Sequence, residues 1–343
     1  MKRVLLALLL LAAPLMAFAQ SQDRDDLLTP SGTLYTIESA ASYEYPSINA
    51  SSSRLLALTV QSQGEKPTTI FVPESLQSGA NTSPALAYDS ESDTLFVFWE
   101  RGLNNHITSN LLFASYQGGK WSAATSIESA DFHWCHNLRI GITRKMEQMV
   151  DGEKTVVPGL NVHAVWWDYS PNGEQARYAM LPIEKGGVVN PESIQRRDLA
   201  TFFNVRDMAP DASFDPTVDR EVLRHPQLFE SPDHDNVEVI FGDIDSATFR
   251  QIRLRTQSDG RIRIPLGVRT GTVGTPRIKA DANAKVSAVG APGKMALYTI
   301  DGDQISYVML NGETWSQSRS IALTSKITES SAVDVIRRMV TSE

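Results

Sequence analysis

Glu100, Asp168, Asp243 and Asp301 are the residues of this chain best placed by type and spacing to do chemistry. Each closes a half-apolar stretch of eight residues: Asp93-Thr-Leu-Phe-Val-Phe-Trp-Glu100, Asn161-Val-His-Ala-Val-Trp-Trp-Asp168, Asn236-Val-Glu-Val-Ile-Phe-Gly-Asp243 and Lys294-Met-Ala-Leu-Tyr-Thr-Ile-Asp301. A fifth stretch, Arg54-Leu-Leu-Ala-Leu-Thr-Val-Gln61, ends on an amide. Arg101, Tyr169, Asp245 and Asp303 stand beside the acids. Carboxylates next to aromatic rings suit sugars, because the apolar face of a pyranose lies on a ring while its hydroxyls bond to acids. Two such carboxylates about 5–10 Å apart across a sugar would also suffice for glycoside hydrolysis, one giving a proton and the other acting as base or nucleophile. On that chemistry Glu100, Asp168 and Asp243 are the candidate catalytic acids.

The stretch Asp131-Phe-His-Trp-Cys-His136 is the least strand-like and carries the second group of candidates. His133, Trp134 and His136 are expected to line the mouth of a binding face. A zinc site would need imidazole and thiolate ligands converging on one point. The spacing here matches no zinc pattern, and strand alternation would turn Cys135 away from both Trp134 and His136. No metal and no cofactor are therefore expected. Every one of these residues also has a bland reading. An acid at a strand end commonly accepts backbone N–H bonds from its turn, and Trp99, Trp166 and Trp167 suit a core between sheets.

The elements that must position these residues are strands. Apolar and polar residues alternate with period two, and Gly, Asn and Asp punctuate the runs. A Pro-x-Leu/Ile step precedes most acid-ending stretches: Pro46-Ser-Ile48, Pro84-Ala-Leu86, Pro226-Gln-Leu228 and Pro276-Arg-Ile278, with Leu138-Arg-Ile140 in the third unit. A third alternating run and a fourth, such as Trp121 to Ile127 or Trp315 to Ile321, follow. Four strands repeated about five times predict an all-β fold, a β-propeller of five four-stranded blades, with six left open. The four acids should then ring one face, with Gln61 in the fifth position. Lys145 to Val157 reads as an extra hairpin turning at Asp151-Gly152, and Arg196 to Val222 as a polar excursion. Thr33 to Glu38 could close the last blade. Ser331-Ala-Val-Asp334 resembles a capping box that opens a short C-terminal helix.

Residues 1–19 read as a secretory signal: Lys2 and Arg3, an apolar run from Val4 to Leu15, then Ala17-Phe-Ala19. That run is shorter than the roughly 20 apolar residues a membrane span needs, so no membrane insertion is expected. A flexible segment over 20–31, a propeller over 32–323 and a tail with the helix over 324–343 complete the division. The reading implies a secreted or periplasmic location. The formal charge of −8 argues against nucleic acid, whose phosphates require a basic surface. Cys135 is the single cysteine, so no intrachain disulfide can form.

The turns Ser115-Tyr-Gln-Gly-Gly-Lys-Trp121 and Asn311-Gly-Glu-Thr-Trp315 resemble degenerate forms of the Ser-x-Asp-x-Gly-x-Thr-Trp turn of the sialidase-like, Asp-box (BNR-type) propellers. Gly and Trp are kept in both, and the naming Asp is absent. The resemblance implies the propeller fold over most of residues 43–323. Enzymes of that family use an arginine triad, a Tyr–Glu nucleophile and an Asp acid/base, none of which maps onto a residue here. Arg263-Ile-Pro265 repeats the family's Arg-Ile-Pro in letters only, since it falls in an outer strand of the fourth unit. Three function classes follow. The first is a binding protein for a glycan or cell-wall polymer, the second a glycoside hydrolase on the same face, the third a scaffold for a protein partner.

Overall fold

The computed structural model describes residues 23–341 apart from 63, 104–107, 132–133, 151–152, 171–172, 203–225, 231–235, 244–247, 257–261, 264–270, 273–277, 279–285, 292–293, 312–313 and 326. Its described residues form an all-β propeller with one α-helix. Four sheets follow each other along the chain, and the first joins two antiparallel units through a parallel bridge of Arg54 with Ala80, so five units succeed one another. The first holds β1 (Arg24–Leu28), β2 (Leu34–Ala41), β3 (Arg54–Gln61) and β4 (Thr68–Phe71). The second holds β5 (Ala80–Asp89), β6 (Thr94–Leu103), β7 (Thr108–Gln117), β8 (Lys120–Trp121) and β9 (Thr125–Asp131). The third holds β10 (Trp134–Val150), β11 (Glu153–Ser170), β12 (Gly173–Glu184), β13 (Val188–Val189) and β14 (Gln195–Phe202). The fourth holds β15 (Gln227–Glu230), β16 (Asn236–Asp243), β17 (Thr248–Thr256), β18 (Ile262–Arg263) and β19 (Gly271–Thr272). The fifth holds β20 (Val286–Ala291), β21 (Lys294–Asp301), β22 (Gln304–Asn311), β23 (Thr314–Trp315) and β24 (Arg319–Ala322), and α1 (Glu329–Thr341) follows.

Units two to five share one plan. Each is a three-stranded meander whose third strand pairs with two successive pieces, so the fourth strand is split. The split follows a tight turn. Gly118 and Gly119, both at positive φ, join β7 to β8, a conformation that costs glycine little. The two turns singled out in the sequence behave alike. Trp121 pairs with Tyr116 and Trp315 with Leu310. The following serine then bonds back to the third strand: Ser122 Oγ accepts from the Ser115 N–H at 2.9 Å, and Ser316 Oγ accepts from the Met309 N–H at 2.9 Å. That shared geometry holds without the Asp of the family turn.

Packing between units explains the alternation. Odd and even residues of a strand face opposite sides, and both sides of an inner sheet are buried. Trp166 packs with Phe96, Phe98 and Phe113 of the second unit. Its neighbour Trp167 packs with Val237, Val239 and Ile240 of the fourth. Trp99 joins Ile37, Leu56 and Leu58 of the first unit and donates its indole N–H to Asn81 Oδ1 at 3.0 Å. The third and fourth units approach closely at Gly141, where a Cβ would lie 2.4 Å from Leu228 Cδ2.

Several expectations are corrected. The stretch 20–31, expected to be flexible, carries β1, which pairs with β2, and Asp25 Oδ2 accepts the Leu86 N–H at 2.8 Å. Residues 33–38 do not close the last blade, because Leu34–Ala41 pairs with β1 and β3. Arg54–Gln61 is thus the third strand of its unit rather than the second. Gln61 pairs with Leu34 at the start of β2, at the opposite end from the acids. Pro46-Ser-Ile48 lies outside any strand, and the inner strand of the fifth unit is Val286–Ala291 rather than the stretch at Pro276. The extra hairpin expected over Lys145–Val157, by contrast, is present: past a register shift between Thr143 and Lys145, β10 and β11 pair from Lys145–Pro158 to Val150–Glu153. The start of the polar excursion, to Phe202, is β14; the rest lies outside the described residues. The helix begins before Ser331, whose N–H donates to Thr328 Oγ1 at 3.4 Å, so Thr328 is the cap.

Candidate functional site

The candidate site forms where the second and third units meet, and the register of two strands builds it. β10 pairs with β11 so that Trp134 faces Tyr169, Cys135 faces Asp168 and His136 faces Trp167. Across the joint, Glu100 of β6 accepts the Cys135 N–H through Oε1 at 3.3 Å. The Ser109 hydroxyl of β7 donates to the same oxygen at 2.8 Å. Thr82 lies opposite Glu100 in register and bonds its carboxylate. Asp168 Oδ2 accepts from Arg177 Nη1 at 3.3 Å, and Arg177 also pairs with Glu128 of β9. Glu100 is 6% and Asp168 2% exposed. Asp168 and Glu128 therefore share one guanidinium, with the buried Glu100 close to Asp168.

The electrostatics follow from that arrangement. Burial pushes Glu100 up to about 7, with the nearby Asp168 charge adding to the rise. The donors Ser109, the Cys135 N–H and Thr82 oppose it by favouring the ionised form. Burial likewise pushes the Cys135 thiol up, helped by Glu100, Asp168 and Glu128 and opposed by Arg177. Such a thiol is free, buried and poorly nucleophilic. Among the described residues no group of three or more His, Cys, Asp and Glu is arranged to hold a metal ion.

The four acids hold the same place in the chain order, the C-terminal part of the second strand of their units, but their surroundings differ. Glu100 and Asp168 lie inside their strands, paired with Leu111 and Gln175. Asp301 ends β21 at the turn through Gly302 and is exposed. Asp243 ends β16, paired with Thr248. Arg101 is turned to the first unit, with Nη1 2.8 Å from Glu74 Oε1. The expected irregular connection over 131–136 is shorter than the sequence suggested, because β9 runs to Asp131 and β10 starts at Trp134. His133 and Asp245 lie outside the described residues.

Sequence reasoning missed Thr82, Ser109, Glu128 and Arg177. A faint signal existed for Arg177, a charge between Ala176 and Tyr178 in an otherwise apolar run, both of them buried. It also passed over His163, inside an acid-ending stretch. That imidazole bonds Thr143 Oγ1 at 2.8 Å and the Tyr178 hydroxyl, and burial lowers it to about 3. It is a neutral core histidine with both nitrogens satisfied.

No family model matches the chain, and no curated protein does. Similar solved structures include the GH93 α-L-arabinofuranosidase of Fusarium graminearum with arabinobiose, at 11% identity and TM-score 0.40, covering 81% of this chain and 71% of that one. An α-L-arabinanase of Penicillium chrysogenum gives 11% identity and TM-score 0.37, with 88% and 76% covered. An exo-β-1,3-galactanase of Phanerochaete chrysosporium gives 9% and 0.38; 88% of this chain spans only 59% of that enzyme. Hydrazine synthase of Kuenenia stuttgartiensis scores alike, at 14% and 0.38. Likeness this weak, spread over unrelated chemistries, carries no argument about activity.

Proposed function

We propose that this protein is an exported propeller that binds a glycan or cell-wall polymer where its second and third units meet. The observation that supports it best is the β10–β11 register, which puts Trp134, Cys135 and His136 against Tyr169, Asp168 and Trp167. Glu100 sits across the joint on the Cys135 N–H. By alternation the aromatic positions and the acids belong to opposite sides of the same strand ends, so this end of the joint combines aromatic and acidic residues from three separate stretches, the composition sugar recognition uses. The test is a glycan array with protein starting at Gln20, repeated with Trp134→Ala. Binding should weaken at least about tenfold, about 1.4 kcal/mol, with a small change in melting temperature. Unfolding of the variant would mean that Trp134 packs between units, and the assignment would fail.

A hydrolase reading has one observation in its favour. Glu100 holds its proton to about pH 7 while Asp168 faces a guanidinium, and two carboxylates in contrasting environments are what acid–base division of labour requires. Turnover of an aryl glycoside that disappears in Glu100→Gln, with binding kept, would support it. No turnover by the wild type of any glycoside it binds would leave binding alone.

A further inference from the structure

The end of the second unit farthest from Glu100 carries a row of aromatic side chains. Thr94 and Glu100 lie in the same strand, β6, about 20 Å apart at the rise of an extended chain, and the row is at the Thr94 end. Register builds it: Tyr88 of β5 pairs with Leu95 of β6, Leu95 with Tyr116 of β7, and Tyr116 with Trp121 of β8. Residues directly opposite each other share one side of a sheet, so these four lie in line across four strands. Tyr35 of the first unit meets Tyr88 with ring centroids 6.1 Å apart, and Tyr116 meets Trp121 at 5.0 Å. Leu95 is buried, whereas Tyr35, Tyr88, Tyr116 and Trp121 are half-buried at the margin of the core between the first two units. Asp93, exposed and at φ 50, accepts the Tyr88 hydroxyl at 2.6 Å. Burial raises the Tyr35 hydroxyl, with the Asp93 charge and then Tyr116 adding to the rise, so the acid stands among the rings.

Two facts separate this row from ordinary packing. The pairs matching Tyr116 and Trp121 in the third and fifth units are apolar, Ile183 with Val189 and Leu310 with Trp315, so the fold itself does not require a phenol here. The polar groups of the row are also not consumed by the protein. Among the described residues, no hydrogen bond engages the hydroxyls of Tyr35 and Tyr116, the indole N–H of Trp121 or the second oxygen of Asp93. We propose that this row is a binding site separate from the one at Glu100, taking a straight β-1,4-linked pyranose chain laid across β5 to β8. Such a chain is a ribbon with apolar ring faces and hydroxyl edges, and aromatic rings with polar groups beside them meet both. The rival occupant of an aromatic row is a proline-rich segment. Proline has no N–H, so it would cover Asp93 without offering a donor, whereas every sugar residue brings hydroxyls.

The experiment is calorimetric titration of the chain from Gln20 onward with the hexasaccharides of β-1,4-linked glucose, xylose and N-acetylglucosamine, and with decaproline. At least one hexasaccharide should bind the wild type, and Trp121→Ala and Tyr116→Ala should each weaken it at least about tenfold, the loss expected when an aromatic anchor is removed. No binding of any hexasaccharide, or smaller losses in both variants, overturns the inference. Loss in Trp134→Ala alone would overturn it too while upholding the site at Glu100; loss in the two row variants alone would uphold it and count against that site. Decaproline binding tighter than every hexasaccharide, or a dimer in sedimentation that Trp121→Ala dissolves, would give the row to another occupant and overturn the proposal. Should both alanine variants fail to fold, Asp93→Asn replaces them. That side chain is exposed and asparagine tolerates a positive φ. Loss of the charged acceptor should still weaken binding about threefold, and an unchanged affinity would overturn the proposal equally.

Discussion

The joint between the second and third units and the seam where the fifth unit would meet the first are closed by different physics. At the joint, Phe96, Phe98, Phe113 and Ile127 of one unit interlock with Ile142, Val162, Ala164, Trp166 and Leu181 of the next. Charges then lace it: Arg144 to Asp89, Arg177 to Glu128, and Arg196 Nε to the Ile127 carbonyl at 2.7 Å. At the seam no apolar cluster of the described residues spans the two units. Val289, Ala296, Ile305 and Tyr307 of the fifth unit are covered by Ala332, Ile336 and Val340 of α1. Ala40, Leu55 and Ala57 of the first unit are covered by its own Tyr45, Phe71 and Leu76. Each end of the chain thus buries its own face. The lesson is that a ring of sheets can be continuous in packing on one side and merely capped on the other, so the two places should fail differently.

The sharpest way to break the contrast is Trp166→Ala. It removes the largest buried side chain of the joint and should lower stability by about 3–5 kcal/mol, read as a drop in the urea midpoint with one cooperative transition. A biphasic transition would show that the units unfold separately and that the joint is not shared. Arg177→Ala should cost somewhat less, about 2–3 kcal/mol, because it takes from Glu128 and Asp168 the guanidinium both face, in a place that keeps some solvent contact. Arg177→Met, which keeps the apolar stem and drops the charge, should lose about as much; a much smaller loss would mean that the arginine acts by packing.

At the seam, Ile336→Ala should cost about 1–2 kcal/mol globally, less than a core deletion of the same size, because α1 can open by itself. Amide hydrogen exchange should speed up through Glu329–Thr341 while β6 and β11 stay protected. Equal acceleration everywhere would erase the distinction between seam and joint. The smallest effect belongs to Thr328→Ala, which removes the helix cap and should cost about 1 kcal/mol or less, seen as faster exchange confined to the first turn of α1.

How far the sequence could be read follows the same division. Period-two alternation locates the strands around Glu100, Asp168, Asp243 and Asp301, because half-buried sheets impose it. It also marks Trp99, Trp166 and Trp167 as core. It could not assign Arg54–Gln61 to the third strand of its unit, since alternation reports which faces are buried and not which strand lies alongside. β1 went unseen because Arg24-Asp-Asp-Leu-Leu is polar, and its place in the sheet depends on backbone pairing with β2. Glu128 and Arg177 lie 49 residues apart in sequence. Their meeting is set by how two units stack, which no local pattern encodes. The cap at Thr328 was missed by one turn, a normal margin for helix ends.

The split fourth strands have a consequence for the protein in company. A fibril lengthens when an exposed backbone edge recruits an identical segment from another molecule, and it needs an unbroken row of donors and acceptors to do so. In units two to five the third strand is met by two pieces rather than one continuous strand. β8 and β23, two residues each, and β24, four residues, offer only brief templates. β9 and β14, seven and eight residues long, carry the longer rows, so recruitment by a copy would begin at those two edges rather than at the short pieces of the fourth and fifth units.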